Sequence, residues 1–396
     1  MGKSIYWLLM RTVSQIALTI LASLVAGMGL AMAAGSGEYI VYIGGNTRTK
    51  NKGIYAYRFQ PSSGKVTPIG LVAETPYPSW LAVHPNLQYL YAANENEFKP
   101  ERGKPSNMSA FAMDRKTGML TLLNRSSAVG QGPCHLSVDK TGKSLMLANY
   151  GSGSVAVLPI QPDGRLGEAT AFVQHKGSGA DPKRQQGPHA HCILPSPDNR
   201  FVLAADLGLD QVVVYRFDPA KGTLTPNDPP FAKVAPGAGA RHFAFHPNGR
   251  YVYVVTEMGN TVTTFGYQAN KGALTELQTV STLPKDFTGR SSSAEIVVDR
   301  AGKFVYSSNR GHDSIAVFAI DAKKGTLTPV EIVPTQGKTP RSFAIDPTGQ
   351  YLFAANQDSH NIVLFRVDAK TGRLTPAGQV IEDAPEPTMV LFVPAM

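Results

Sequence analysis

The chain has 396 residues, longer than a usual single domain, with few charged residues and frequent glycine (38) and proline (29), a balance that suits many short strands joined by turns. Its formal net charge of +9 comes without a Lys/Arg run or an aromatic-basic ladder. That excludes a nucleic-acid partner and leaves a mildly basic surface suited to anionic small molecules.

Residues 1–33 carry Lys3 and Arg11, an apolar run from Ile16 to Leu30, and the small-residue pattern Ala31-Met32-Ala33. This predicts a secretory signal peptide, removed to leave a mature domain 34–396. The apolar run approaches spanning length, so an uncleaved anchor is the rival. The A-x-A site favours cleavage, hence a periplasmic or secreted protein with no stable membrane insertion. The only cysteines, Cys134 and Cys192, sit at different positions of consecutive repeats and read as small buried residues rather than a disulfide.

Beyond the leader one phrase recurs: an apolar strand, a turn with Gly, then Leu-Thr. It runs YRFQPSSGKVTP from Tyr57, FAMDRKTGMLTL from Phe111, a weaker LPIQPDGRLGE from Leu158 and YRFDPAKGTLTP from Tyr215. It returns from Phe265, Phe318 and Phe365, making seven copies. A second phrase alternates with it: a short strand, a His/Asp-Pro-x-Gly type turn, and a strand ending in Asn or Asp. Intact copies start at Ser79, Cys134, His191, Arg241, Ala294 and Arg341. Each unit holds four strands in about 50 residues, the size of one propeller blade. The last copy stops after one strand, Pro387 to Pro394, and its missing partner is Tyr39 to Gly44 at the other end of the chain. The expected fold is therefore all-β, a seven-bladed β-propeller whose terminal blade is closed by strands from both chain ends.

Calling the strands A to D from the axis outward, the start of A and the end of B share one face around the channel. An offset of sixteen residues links these positions in each intact hairpin: Ser79 with Glu95, Cys134 with Tyr150, His191 with Leu207, Arg241 with Glu257, Ala294 with Arg310 and Arg341 with Gln357. The partners are expected to be cross-strand neighbours. The ring contains His191, Arg241, Glu257, Arg310 and Arg341, a titratable and cationic cluster on an apolar scaffold. Arg241 with Glu257 alone reads equally well as an ion pair closing a hairpin; the company of a histidine and two more arginines favours a functional site.

His84 and His246 precede Pro in the turns of the opposite face and read as turn caps. Asn94, Asn149, Asp206, Asn309 and Asn356 recur at one position and read as blade-terminating caps. His135 and His242 adjoin the ring, and His312 lies in the loop after strand B on the site face. His189 and His191 bracket Ala190, but no set with metal-ligand spacing accompanies them, so no metal and no cofactor are expected. Two loops on this face are basic: 174–186, with Lys176, Lys183 and Arg184, and 97–106, with Lys99, Arg102 and Lys104.

At these motifs the sequence resembles the bacterial β-propeller lactonase family, which contains propeller-type 6-phosphogluconolactonases and is related to carboxymuconate-cyclising enzymes. The matching stretches include GPCHLSVD from Gly132, QGPHAHCILPSPDNRFVLAADLG from Gln186, ARHFAFHPNGRYVYVVTE from Ala240 and NRGHDSIAVF from Asn309. The resemblance covers essentially the whole mature chain. It departs at Ala240-Arg241, where the family has Pro-Arg. It implies a lactonase whose catalytic set is His191 (or His189), Arg241, Glu257 and Arg310; from their places in or beside the ring, His189, His135, Arg341, Gln357 and Tyr150 are expected to bind substrate. Hydrolysis needs a base for water and cations for the oxyanion. Arg241 and Arg310 suit the cations, and His191 or Glu257 the base. The partner is then a small, anionic lactone, and a monomer is expected. Export argues against a cytoplasmic phosphorylated lactone and keeps a free aldonolactone open. The rival functions are an exported propeller that binds a protein or cell-wall ligand, and a cyclase or isomerase acting on a muconate-like diacid.

Overall fold

Strands rich in Val, Ile, Tyr and Phe alternate with Gly-bearing turns. In a computed structural model, which describes residues 37–46, 51–95 and 107–396, they form seven four-stranded antiparallel sheets. The leader 1–33 and the basic loop 97–106 lie outside the described residues. Each sheet is one blade, and strand A of every blade packs beside strand A of the next until the ring closes. Blades one to six start at Pro78, Pro133, Ala190, Ala240, Ser292 and Pro340. Blade seven takes its strand A, Pro387–Pro394, from the C-terminus and strands B to D from the N-terminal side, with Tyr39–Gly45 pairing Pro387–Pro394 as expected. This closure leaves no free inner edge.

The apolar core is divided into seven clusters, each formed by the facing sides of two consecutive blades. Strands A to C therefore need apolar residues on both faces, which explains their continuous rather than alternating hydrophobicity. Strand D forms the outer rim and is largely exposed, as in Leu374–Ile381.

The repeated glycine of the first phrase is an inter-blade contact. Gly372, at φ +72°, lies against the Phe304 ring of the preceding blade, where an added Cβ would come within 2.5 Å of the ring. The Tyr306 hydroxyl donates to the Gly372 carbonyl at 2.9 Å, and Tyr253 repeats the bond to Gly325 at 3.0 Å. Gly372→Ala combines left-handed strain with a ring clash and is expected to cost about 2–4 kcal/mol. Tyr306→Phe should cost about 1 kcal/mol by loss of one buried hydrogen bond. Urea unfolding of the two variants checks this; equal destabilisation would contradict the packing role of the glycine.

The turn residues behave as caps. His246 Nδ1 accepts from Asn248 N at 3.1 Å while Nε2 meets the Gly302 carbonyl of the next blade at 2.9 Å, so the imidazole both closes its own turn and ties two blades together.

One expectation is corrected. The named ring partners are not paired in the ladder: Ala240, one residue before Arg241, pairs Thr256, His242 pairs Val255, and Glu257 N donates to Gly239 O. Arg241 is the extra residue of a β-bulge. Equivalent irregularities occur at the start of strand A in all seven blades, covering Ser79, Cys134, His191, Ala294, Arg341 and Thr388. A bulge re-aims side chains. Here the positions that follow, Trp80, His135, His242 and Glu295 among them, meet one another in a buried layer across the axis.

Candidate functional site

The last residue of strand B, or the one just after it, stands at the top of the channel in five of the blades. Five blades contribute that residue to one polar cleft of about 190 Å³: Asn46, Glu95, Tyr150, Glu257 and Arg310. Blades three and six instead contribute the bulge residues His191 and Arg341. Arg184, from the connection between blades two and three, completes the wall. A larger groove of about 440 Å³ lies among the A–B and C–D turns of the opposite face. It gathers turn residues such as Gly142, Pro162 and Lys221 with no convergent acid–base set, so the channel cleft is the candidate site.

Glu257 is the hub. Its Oε2 accepts from Arg241 Nε at 2.9 Å and lies 3.0 Å from Arg310 Nη2, and its Oε1 accepts from Arg184 Nη2 at 2.8 Å. Burial alone would raise its carboxyl, but Arg310, Arg241 and Arg184 outweigh that and hold it well below the usual carboxylate range. Burial draws the Arg310 guanidinium down to about 10, which still leaves it charged at neutral pH. A second, looser pair sets Arg341 Nη2 3.6 Å from Glu95. Four guanidiniums face two carboxylates, leaving an excess of two positive charges.

His191 is buried, edge-on to Tyr150 at 5.4 Å and to His242 at 5.0 Å between ring centres. Burial first, then the nearby Arg241 and His242, keep it neutral by pushing its pKa well below the ordinary histidine value. Beneath it Trp80 stacks on His135 at 4.4 Å, and His242 Nδ1 meets Glu295 Oε1 at 3.0 Å. Burial raises Glu295 to about 7.

Of the residues expected from sequence, the cleft brings together His191, Glu257, Arg310, Arg341 and Tyr150. Arg241 is not on its wall: only 2% exposed, it sits behind Glu257 and gives its other donor to the Ala294 carbonyl at 2.7 Å, because the bulge turns it inward. It positions Glu257 rather than meeting a ligand. His135 lies in the buried layer below, and Gln357 lies off the wall with its amide on Asp358 at 3.3 Å. His189 stacks on Tyr150 at 4.5 Å and bonds its carbonyl at 2.9 Å, which makes it a support for that ring. His312 is engaged by Ser314 at 2.7 Å. Both cysteines are free and buried. Among the described residues no group of His, Cys, Asp or Glu is arranged to hold a metal ion.

Three wall residues were not selected from sequence. Glu95 and Asn46 occupy the same register position as Glu257, and aligning the split seventh blade with the six intact ones would have exposed Asn46. Arg184 has no repeat position and carried only the signal of a basic loop.

Comparison with known proteins places the chain in a family of the same fold. The family described as lactonase, 7-bladed beta-propeller matches residues 40–392. A 6-phosphogluconolactonase of Bacillus subtilis is 38% identical over 306 residues, covering 77% of this chain and 84% of that protein. A 6-phosphogluconolactonase of Formosa agariphila is 34% identical over 309 residues, covering 77% and 85%. Among solved structures, the periplasmic gluconolactonase of Pseudomonas aeruginosa superposes with a TM-score of 0.86 at 33% identity, over 91% of this chain and all (100%) of that one.

Proposed function

The chain belongs to the seven-bladed β-propeller lactonase family, and from that premise we propose that it hydrolyses a sugar-type lactone carrying an anionic group, outside the cytoplasm. The observation that carries this reading is the polar cleft in which a neutral His191 faces a carboxylate-anchored fan of arginines.

His191 is the general base. Its lone pair is available at neutral pH, whereas Glu257 has both oxygens engaged by guanidiniums and is too weak a base to activate water. His191 takes a proton from water as the oxygen attacks the ring carbonyl. The carbonyl π electrons move to oxygen, and Arg310, on the wall and charged, stabilises that oxyanion. When the tetrahedral intermediate collapses, the ring C–O bond breaks and the leaving oxygen receives the proton from His191. Glu257 and Arg241 hold the cations in place. The two-charge excess in the cleft favours substrates that bring a phosphate or carboxylate. The leader and the kinship with a periplasmic gluconolactonase support export.

Purified mature protein should accelerate ring opening across a panel of free and phosphorylated aldonolactones, followed by acid release in weak buffer and corrected for spontaneous hydrolysis. Silence on every lactone would overturn the reading in favour of a binding role.

A further inference from the structure

We infer that the connection between blades two and three is the specificity element of this site, and that Arg184 on it grips the anionic group of the substrate at the cleft mouth while the lactone carbonyl lies against Arg310. The inference rests on the lactonase reading for the identity of the ligand, but not for the existence of the anion contact.

The connection is built to hold one side chain still. At its start His175 is clamped between Asp206 Oδ2 at 2.6 Å and the Tyr215 hydroxyl at 2.7 Å. Near its end Gln185, 1% exposed, donates to Leu207 O and to Asp210 Oδ1, both at 2.7 Å, and accepts from Asp181 N at 2.8 Å. His189 N then returns to Asp206 Oδ1 at 2.8 Å. Blade three has an aspartate where blades one, two, five and six have an asparagine cap, and that carboxylate is what His175 and His189 N use. Asp210 also accepts from Gly237 N and Gly239 N at 2.7 Å, linking this loop to the segment that leads into Arg241.

Arg184 lies next to the Gln185 pin. Its side chain is 44% exposed, against 14% for Arg310 and 2% for Arg241, so it is the first of the Glu257-bound cations that an entering anion meets. Both of its bonds, to Glu257 Oε1 and to the Tyr150 hydroxyl at 3.3 Å, use Nη2. The Nε and Nη1 donors have no protein partner among the described residues. A guanidinium fixed on one edge with donors left on the other is suited to a phosphate or carboxylate oxygen pair. An ordinary exposed ion pair adds little to stability and needs no such buried scaffold.

The test compares wild type, Arg184→Gln and Arg184→Lys on a phosphorylated aldonolactone and its unphosphorylated counterpart. In Arg184→Gln the ratio of kcat/KM for the phosphorylated over the free lactone should fall at least tenfold, through KM, and Arg184→Lys should recover part of it. An unchanged ratio overturns the inference, whether both activities fall together or neither does. Calorimetric titration with 6-phosphogluconate and gluconate reads the same preference without turnover. Wild type that opens no lactone but prefers the phosphorylated acid, with the preference lost in Arg184→Gln, would keep this inference while removing the lactonase reading. Wild type with no preference would remove the inference.

Discussion

Glu257→Gln is expected to lower lactone kcat/KM by about 10³-fold and the unfolding free energy by about 3 kcal/mol. Both effects follow from one geometry. The carboxylate is the shared acceptor of Arg184, Arg241 and Arg310, and Glu257, 6% exposed, neutralises part of that cationic cluster. The amide keeps one acceptor oxygen and turns its NH₂ toward guanidinium donors, so at least one bond becomes a donor–donor contact. Arg241, 2% exposed, then retains only the Ala294 carbonyl for a buried charge. Under the proposed mechanism activity falls because Arg310 loses the anchor that would hold it at the oxyanion position. Arg241→Met removes the charge that most needs Glu257, so the double variant should be less destabilised than the two single losses summed. Urea unfolding of the four proteins and their lactone kinetics provide the check. Additive stability losses would show that Arg241 and Glu257 are not a coupled pair, and full turnover by Glu257→Gln would remove the site assignment altogether.

Much of this was legible because a repeat protein writes its topology several times. Seven copies of the Gly-turn phrase specify blades, and the truncated copy at Pro387 specifies how the ring closes. Register positions around the channel are likewise repeated, so Glu257, Arg310 and Arg341 stand out as polar identities on an apolar template. What the pattern could not convey is the bulge. Because these strands are apolar on both faces, an extra residue in strand A leaves no mark on the hydrophobic pattern while changing which side chain faces the cleft, and so Arg241 and His135 lie in the layer behind the wall. Arg184 was illegible for a different reason. Its position depends on the contacts of His175, Gln185 and Asp210 in a non-repeating connection, and no periodicity records those.

The axial layer below the cleft predicts a steep acid limit to stability. His135, His191 and His242 are buried, and burial, reinforced by neighbouring histidine and arginine charge, holds each well below the ordinary histidine value in the folded state. His242 Nε2 has no hydrogen-bond partner, so a proton there would add an unpaired buried donor. Unfolded, each takes up a proton as pH falls through about 6.5. The unfolded state therefore binds more protons at these three sites than the native state below that pH, and native stability falls. Glu295 acts in the opposite sense. Burial raises it to about 7, so between that value and its unfolded 4.5 the native state holds one proton more and gains stability as pH drops. Three imidazoles outnumber the one carboxyl, so native stability falls as the pH drops below about 6.5. Below 4.5 Glu257, depressed in the folded state, begins to withdraw its own contribution and the loss steepens. His135→Phe keeps a ring against Trp80 and removes one titrating group, so its stability should fall less steeply below pH 6.5, by about 1 kcal/mol per pH unit. Urea unfolding from pH 8 to 5 measures both slopes. A wild-type stability that stays flat between pH 6.5 and 5 would mean that the three imidazoles are not held neutral, and the assignment of His191 as the base would lose its physical ground with them.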